Sequence, residues 1–246
     1  MPPRRERIDR LLVARGIFET ADLAARAVMA GKVRLGSRMV DKPGAVVPID
    51  AEISVEQPAK FASRGGFKLE AALDRFGIDP EGRVCFDIGS STGGFTDCLL
   101  QRGAAFVHAV DVGKGLLDWR LRADPRVATH EGVNARFLAD CRFDPPPQMA
   151  VGDVSFISLE QILPPVFAAL PPGADMVFLI KPQFEAPKGS DMPGGVVRDP
   201  ELRRACVEKI RRCVESLGHR WLGDMESPVA GRDGNIEHLA HLRMRG

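Results

Sequence analysis

The hydrophobic positions follow two different rhythms, one over residues 1–60 and another from Val84 onward. Near the start, Ile8, Leu11 and Leu12 recur at helical spacing with Arg15, and Gly16 suits the position that ends a helix. Thr20 suits an N-cap, after which Leu23, Ala24, Ala27 and Val28 share one face up to Gly31. Short strands are predicted over Lys32–Leu35 and Arg38–Val40, joined by a Gly36-Ser37 turn. Lys42-Pro43-Gly44 turns the chain again before a strand near Glu52–Val55. Gln57–Arg64 reads as a linker. Gly65-Gly66 then opens a helix with Leu69, Ala72, Leu73 and Phe76 facing inward.

From Val84 strands and helices alternate. Strands are predicted at 84–88, 106–111, 126–130, 148–154, 175–181, 220–225 and 236–243, and helices at 94–102, near 115–122, at 158–169 and at 200–217. Repeated strand–helix units predict a mostly parallel sheet covered on both faces, with an antiparallel final pair. The Pro- and Gly-rich stretch Gln183–Pro200 reads as a mobile loop beside the site. The expected architecture is an α/β chain in two parts, a small α+β module over 1–60 and a larger domain over 61–246.

The segment Val84–Thr96, VCFDIGSSTGGFT, carries the most chemistry. A buried strand ends at Asp87-Ile88, Gly89, Gly93 and Gly94 make a turn, and Phe95, Leu99 and Leu100 begin a helix. Backbone N–H groups and a helix start can there face a nucleotide-like ligand. The spacing is G-x-x-x-G-G, not the G-x-G-x-x-G of a dinucleotide site, and the Lys-Ser/Thr of a P-loop is missing. A second strand, Phe106–Asp111, ends in another acid that can bind a ribose. An adenosine with a non-phosphate tail, such as S-adenosylmethionine, fits this pattern better than a triphosphate.

Composition narrows the setting. The basic start, MPPRRERIDR, has no apolar segment behind it, so a secretory signal is not expected and the cytoplasm is the default. Five scattered cysteines form no CxxC pair and no metal-like cluster, which suits a reducing compartment and predicts no metal. The net charge is +1, but residues 1–42 carry ten Lys/Arg against five acids, which points to a module that meets a polyanion, with a solvated surface that happens to be basic as the competing reading. The candidates for phosphate contact are Arg4, Arg5, Arg7, Arg10, Arg15, Lys32, Arg34, Arg38 and Lys42, with Arg64 in the linker. With no Tyr and two Trp, a base-stacking platform is not the expected mode, so if the polyanion is a nucleic acid it is one recognised by shape. Trp119 and Trp221 read as packing residues.

Ligands of a parallel α/β sheet sit at the carboxyl ends of its strands. Four charged residues fall near such ends: Asp153, Lys181, Lys68 at the helix after the linker, and Glu237 at the last strand. A lysine closing an apolar strand is costly to bury unless paired or neutral, and desolvation or nearby positive charge makes a lysine a base. Each alone reads as an ordinary salt bridge; as a set they read as a site.

With these residues in view, RIDRLLVARGIFETADLAARAVMAGKVRLGSRMVDKPGAVV resembles the S4 RNA-binding domain. SRGGFKLEAAL, DIGSSTGGFTDCLL, DVSFISL, LIKPQFE, GGVVRDP and GNIEHL resemble an FtsJ-type methyltransferase domain. Together they resemble the hemolysin-A-type ribosomal RNA 2′-O-ribose methyltransferases. Two departures stand out: Thr20 is followed by Ala21 where a basic residue is usual, and the linker aromatic is Phe61. The resemblance implies a Rossmann-like class I methyltransferase domain with a mostly parallel seven-stranded sheet, S-adenosylmethionine as cofactor, and ribosomal RNA or subunits as partner. It implies a K-D-K-E tetrad at Lys68, Asp153, Lys181 and Glu237, with Lys181 as general base and transfer to a 2′-hydroxyl of cytidine. Asp87, Gly89, Ser90, Thr92, Gly93 and Gly94 would line the methionine part and Asp111 the ribose. Asn134 is a candidate for the adenine side or simply a turn residue.

Other acceptors fit less well. Asp153-Val154-Ser155-Phe156 lacks the prolines of base-amine methyltransferases, and no cysteine falls in 148–154 or 175–181 to attack a base carbon. The competing readings are a non-catalytic ribosomal RNA-binding or assembly factor with a relic pocket, and a hemolysin.

Overall fold

The computed structural model describes residues 4–56 and 59–246, so residues 57 and 58 of the expected linker lie outside the described residues. Contacts divide the chain into two compact units, Met1–Lys60 and Phe61–Gly246.

The first unit begins with strand β1 (Arg5–Arg7), followed by helices α1 (Ile8–Ala14) and α2 (Ala21–Met29). Thr20 caps α2 as expected, its hydroxyl accepting from the Leu23 N–H. Strands β2 (Val33–Leu35), β3 (Arg38–Val40), β4 (Val46–Pro48) and β5 (Ile53–Val55) complete the unit. β2 lies between β3 and β5, and β1 pairs antiparallel with β4. Ile8, Leu12, Ala24, Val28, Val33 and Val47 form its core. β1 and β4 were not expected. β1 reads Arg-Glu-Arg, with no apolar alternation, and exists because its backbone finds β4 some forty residues away.

The second unit opens with α3 (Gly65–Phe76), then β6 (Val84–Ile88), α4 (Gly94–Gln101), β7 (Phe106–Asp111), α5 (Trp119–Arg122) and β8 (Val127–Glu131). It continues with β9 (Met149–Gly152), α6 (Leu163–Ala168), β10 (Asp175–Ile180), α7 (Pro182–Glu185), α8 (Pro200–Ser216), β11 (Arg220–Glu226) and β12 (His238–Arg243). The seven strands order as β11-β12-β10-β9-β6-β7-β8. Pairing is parallel from β10 to β8, and β12 runs antiparallel to both β10 and β11. Alternation along β10 feeds two cores. Val177 and Leu179 join Leu69, Leu73 and Leu99 on one face, while Met176, Phe178 and Ile180 join Val166, Phe167 and Ile210 on the other. The strand order reverses between β6 and β9, and a crevice at the carboxyl ends of such strands is where ligands bind.

Several local expectations change. The helix expected at 158–169 is a 3-10 turn (Leu159–Gln161) followed by α6, because Pro164 and Pro165 suit only a helix's first turn. The helix expected near 115–122 shortens to α5. The stretch Gln183–Pro200 is not all loop: it contains most of α7 and a 3-10 turn at Pro193–Gly195. Trp119 is 75% exposed and is no core residue, whereas Trp221 packs against the second core.

At the opposite end of the sheet, Asp175 holds three strands' ends together. It accepts from His241 Nε2 at 2.9 Å and Arg243 Nε at 2.8 Å, and lies 3.4 Å from Arg83 Nη1. Burial pushes this carboxyl up, but the hydrogen bonds and charges of His241 and Arg243 outweigh it and hold it down to about 2. A depressed carboxyl contributes stability above its unfolded value and loses it as pH falls toward the folded one. Acid unfolding of the wild type is therefore expected to steepen between about pH 4 and pH 2. Asp175→Asn is expected to melt lower at pH 7 and to lose most of this acid sensitivity. Parallel melting curves against pH for the two proteins would contradict the assignment.

Candidate active site

The turn after β6 builds the first wall. Gly89 has φ +81°, and a Cβ there would lie 2.7 Å from the Asp153 carbonyl oxygen, so only glycine lets the β6 and β9 ends close together. Asp87 is fully buried behind this turn. Its Oδ2 accepts from the Thr96 N–H at 2.8 Å and hydroxyl at 2.6 Å, tying the start of α4 to β6, while Oδ1 has no hydrogen-bond partner among the described residues. Burial pushes the Asp87 carboxyl up to about 7 against the hydrogen bonds from Thr96, and the charges of Asp153 and Asp111 add to the rise.

The loop borders a polar chamber of about 420 Å³. Gly89, Ser90, Thr92 and Gly94 line it, together with Ser91, Arg64, Lys68, Asp153, Ser155 and Lys181. Two residues expected there do not line it. Asp87 acts from behind the wall, and Gly93 packs against Leu121, which a side chain at 93 would overlap. Arg64, read from sequence as a phosphate contact, is exposed and lines this chamber.

A second, apolar chamber of about 450 Å³ adjoins the first, lined by Val110, Val112, Leu116, Val133, Ile157 and Ile162. The two share Gly89, Ser91, Asp153 and Ser155. Asp111 and Asn134 line the apolar chamber. Both also serve the backbone: Asp111 accepts from the Ser91 N–H at 2.8 Å and the Gly113 N–H at 2.7 Å, and Asn134 Oδ1 accepts from the Arg136 N–H. Each carboxylate oxygen keeps a second lone pair for a ligand.

The four charged residues come together as two pairs. Lys68 Nζ donates to Glu237 Oε2 at 2.5 Å, with the two residues 7% and 2% exposed. A side chain at Gly231 would overlap Glu237 Oε1, so the glycine makes room for this carboxylate. Lys181 follows β10 directly and occupies the residue before α7, its side chain making no capping hydrogen bond. Its Nζ lies 2.6 Å from Asp153 Oδ1, a charge contact without hydrogen-bond angles, and donates to Ser155 Oγ at 2.7 Å. A third recess of about 450 Å³ is lined by Lys68, Lys181 and Glu237, with Ser155, Phe156 and Asn235 among its other walls.

Sequence reasoning missed the groups that hold this arrangement. Glu185, 3% exposed at the end of α7, accepts from Ser158 Oγ at 2.6 Å, the Leu159 N–H at 2.7 Å and Lys209 Nζ at 3.0 Å. It thereby ties the segment after Lys181 to the segment after Asp153. Asn235 accepts from the Val197 N–H and donates to the Gly195 carbonyl, fixing the chain just before Glu237. The only sequence signal was position: Glu185 stands four residues after Lys181, and Asn235 two before Glu237.

In the first unit Arg4, Arg5, Arg10, Arg15, Lys32, Arg34, Arg38 and Lys42 are exposed. Arg7 is engaged by Asp9 at 2.6 Å, and Arg5 and Arg15 donate to the carbonyls of Val46 and Ile49.

Comparison with known proteins bears on this site. The family described as FtsJ-like methyltransferase matches residues 61–244. The 16S/23S rRNA (cytidine-2′-O)-methyltransferase TlyA of Mycobacterium tuberculosis is 44% identical over 242 residues, covering 98% of this chain and 90% of that protein. Hemolysin A of Brachyspira hyodysenteriae is 40% identical, covering 96% and 99%. A solved structure from Streptococcus thermophilus, of a protein called a hemolysin, superposes with a TM-score of 0.74 at 41% identity over 100% of this chain and 90% of that one. An S-adenosylmethionine-dependent methyltransferase from Mesorhizobium loti shares the fold, with a TM-score of 0.51 at 17% identity, covering 70% and 96%.

Proposed function

The chain belongs to the FtsJ-like methyltransferase family, and on that premise we propose that it methylates a ribose 2′-hydroxyl of ribosomal RNA, at cytidine as its relative's name states. The observation that carries this reading is the meeting of Lys68–Glu237 and Lys181–Asp153 around the joined chambers. The walls fit S-adenosylmethionine. The apolar chamber would suit an adenine and the polar one an amino-acid tail, and the two chambers share Gly89, Ser91, Asp153 and Ser155, the residues that would border the middle of the molecule. When bound, this cofactor supplies a methyl on a sulfonium whose sulfur keeps the bonding pair as the methyl leaves.

The protein's task is then alignment and proton removal. Ser90, Thr92, Gly89 and Gly94 hold the tail, and Asp87 and Gly93 support them from behind. Asp111 receives the cofactor ribose, with Asn134 on the adenine side. Lys181, in its neutral form, would take the 2′-hydroxyl proton on its Nζ. Asp153 holds Lys181 in reach. Lys68, oriented by Glu237, presents a positive charge to the acceptor or its phosphate. Arg64 reaches the same mouth.

The first unit is an S4-type RNA-binding module in this reading, and its exposed arginines and lysines contact phosphates without reading sequence. The setting is the cytoplasm, where ribosomes are found. Among the described residues no helix is long and apolar enough to cross a membrane. The test is mass spectrometry of ribosomal RNA from cells with and without the protein. One or more 2′-O-methyl nucleotides are expected to vanish on its loss and to return when purified protein and cofactor are added. An unchanged set of modifications would leave the assembly-factor reading in its place.

A further inference from the structure

Ser155 belongs to none of the roles above, yet among the described residues it alone lines all three recesses. It accepts a hydrogen bond from Lys181 Nζ at 2.7 Å, whereas the Asp153 contact at 2.6 Å lacks hydrogen-bond angles. The difference matters because of what a base must present. A lysine head is a free rotor on a flexible stem, and a neutral amine has two N–H bonds and one lone pair. A carboxylate fixes where the nitrogen sits; a directional acceptor fixes which way the lone pair turns. The loop bearing Ser155 is held on its C-terminal side at two points. Phe156 adopts a left-handed φ of +65°, rare for a bulky residue, and packs on Phe184 of α7 with ring centres 5.1 Å apart. Glu185 fastens α7 to Ser158 and Leu159 farther along that loop.

We propose that Ser155 is a positioning residue for methyl transfer: by accepting a hydrogen bond from Lys181, it turns the amine lone pair toward the acceptor hydroxyl. The inference rests on the reading of Lys181 as the base.

The test compares Ser155→Ala and Ser155→Thr with the wild-type full chain. Alanine is expected to lower kcat by about tenfold or more while KM for ribosomal RNA stays within about twofold. The melting temperature is expected to match the wild type, because Ser155 is exposed. Calorimetry with S-adenosylhomocysteine tells a lost orientation from a lost cofactor: an alanine variant slowed only because it no longer binds the cofactor would overturn the proposal. Threonine keeps the hydroxyl and is expected to recover kcat to within about threefold. An alanine variant with wild-type kcat, or one in which only KM changes, would overturn the proposal. So would a threonine variant as slow as alanine, since bulk rather than the hydroxyl would then matter. A wild-type chain that transfers no methyl to ribosomal RNA would overturn the functional reading itself.

Discussion

Lys181→Ala is expected to lower kcat for methyl transfer by about a hundred- to ten-thousandfold, the range a positioned general base contributes. The cofactor's affinity is expected to persist, because Lys181 borders the polar chamber while the walls proposed for the tail and adenine come from Gly89, Ser90, Thr92 and Gly94 and from the apolar chamber. Lys181→Arg is not expected to rescue the rate: a guanidinium stays protonated and cannot accept the hydroxyl proton. Single-turnover transfer to ribosomal RNA measures the first effect, and calorimetry with S-adenosylhomocysteine the second. Transfer by the alanine variant at the wild-type rate would remove Lys181 as the base. Lost cofactor binding would assign the residue to the cofactor instead.

Glu237→Ala is expected to act on the fold as well as on the reaction. Lys68 and Glu237 are both nearly excluded from solvent, so removing the carboxylate leaves a buried ammonium without its partner. Breaking such a pair costs about 3–5 kcal/mol. For a unit of this size that is a fall in melting temperature of roughly 6–20 °C. Replacing both partners by apolar residues of similar volume, Lys68→Met with Glu237→Leu, is expected to restore much of the stability. It is not expected to restore transfer. Denaturant unfolding of the single and double variants, run beside the transfer assay, separates these effects. A single variant that unfolds at the wild-type midpoint would show that the pair carries no structural burden.

The segments of the candidate site were legible because each is local. Val84–Thr96 announces a buried strand, a glycine turn and a helix within thirteen consecutive residues, and β6 and α4 form where that rhythm puts them. The parallel sheet was legible for the same reason, since each strand–helix unit repeats an apolar pattern that needs no knowledge of distant residues. β1 was not, because Arg-Glu-Arg becomes a strand only when β4 offers its backbone. The break in the helix expected at 158–169 could have been read from Pro164-Pro165, whose missing N–H groups confine them to a first turn.

The site divides along the same line. Sequence determined the cast: two lysines, two carboxylates and a glycine loop, each near the end of a strand or the start of a helix. Tertiary structure decided the pairings, Lys68 with Glu237 and Lys181 with Asp153, and which loop residues face the chambers rather than brace them. It also moved Arg64 to the chamber wall and brought in Ser155, Glu185 and Gly231. The reason is physical. Periodicity records which face of an element is buried, but a hydrogen bond between residues 169 apart, as between Lys68 and Glu237, depends on where separate strands end around one crevice.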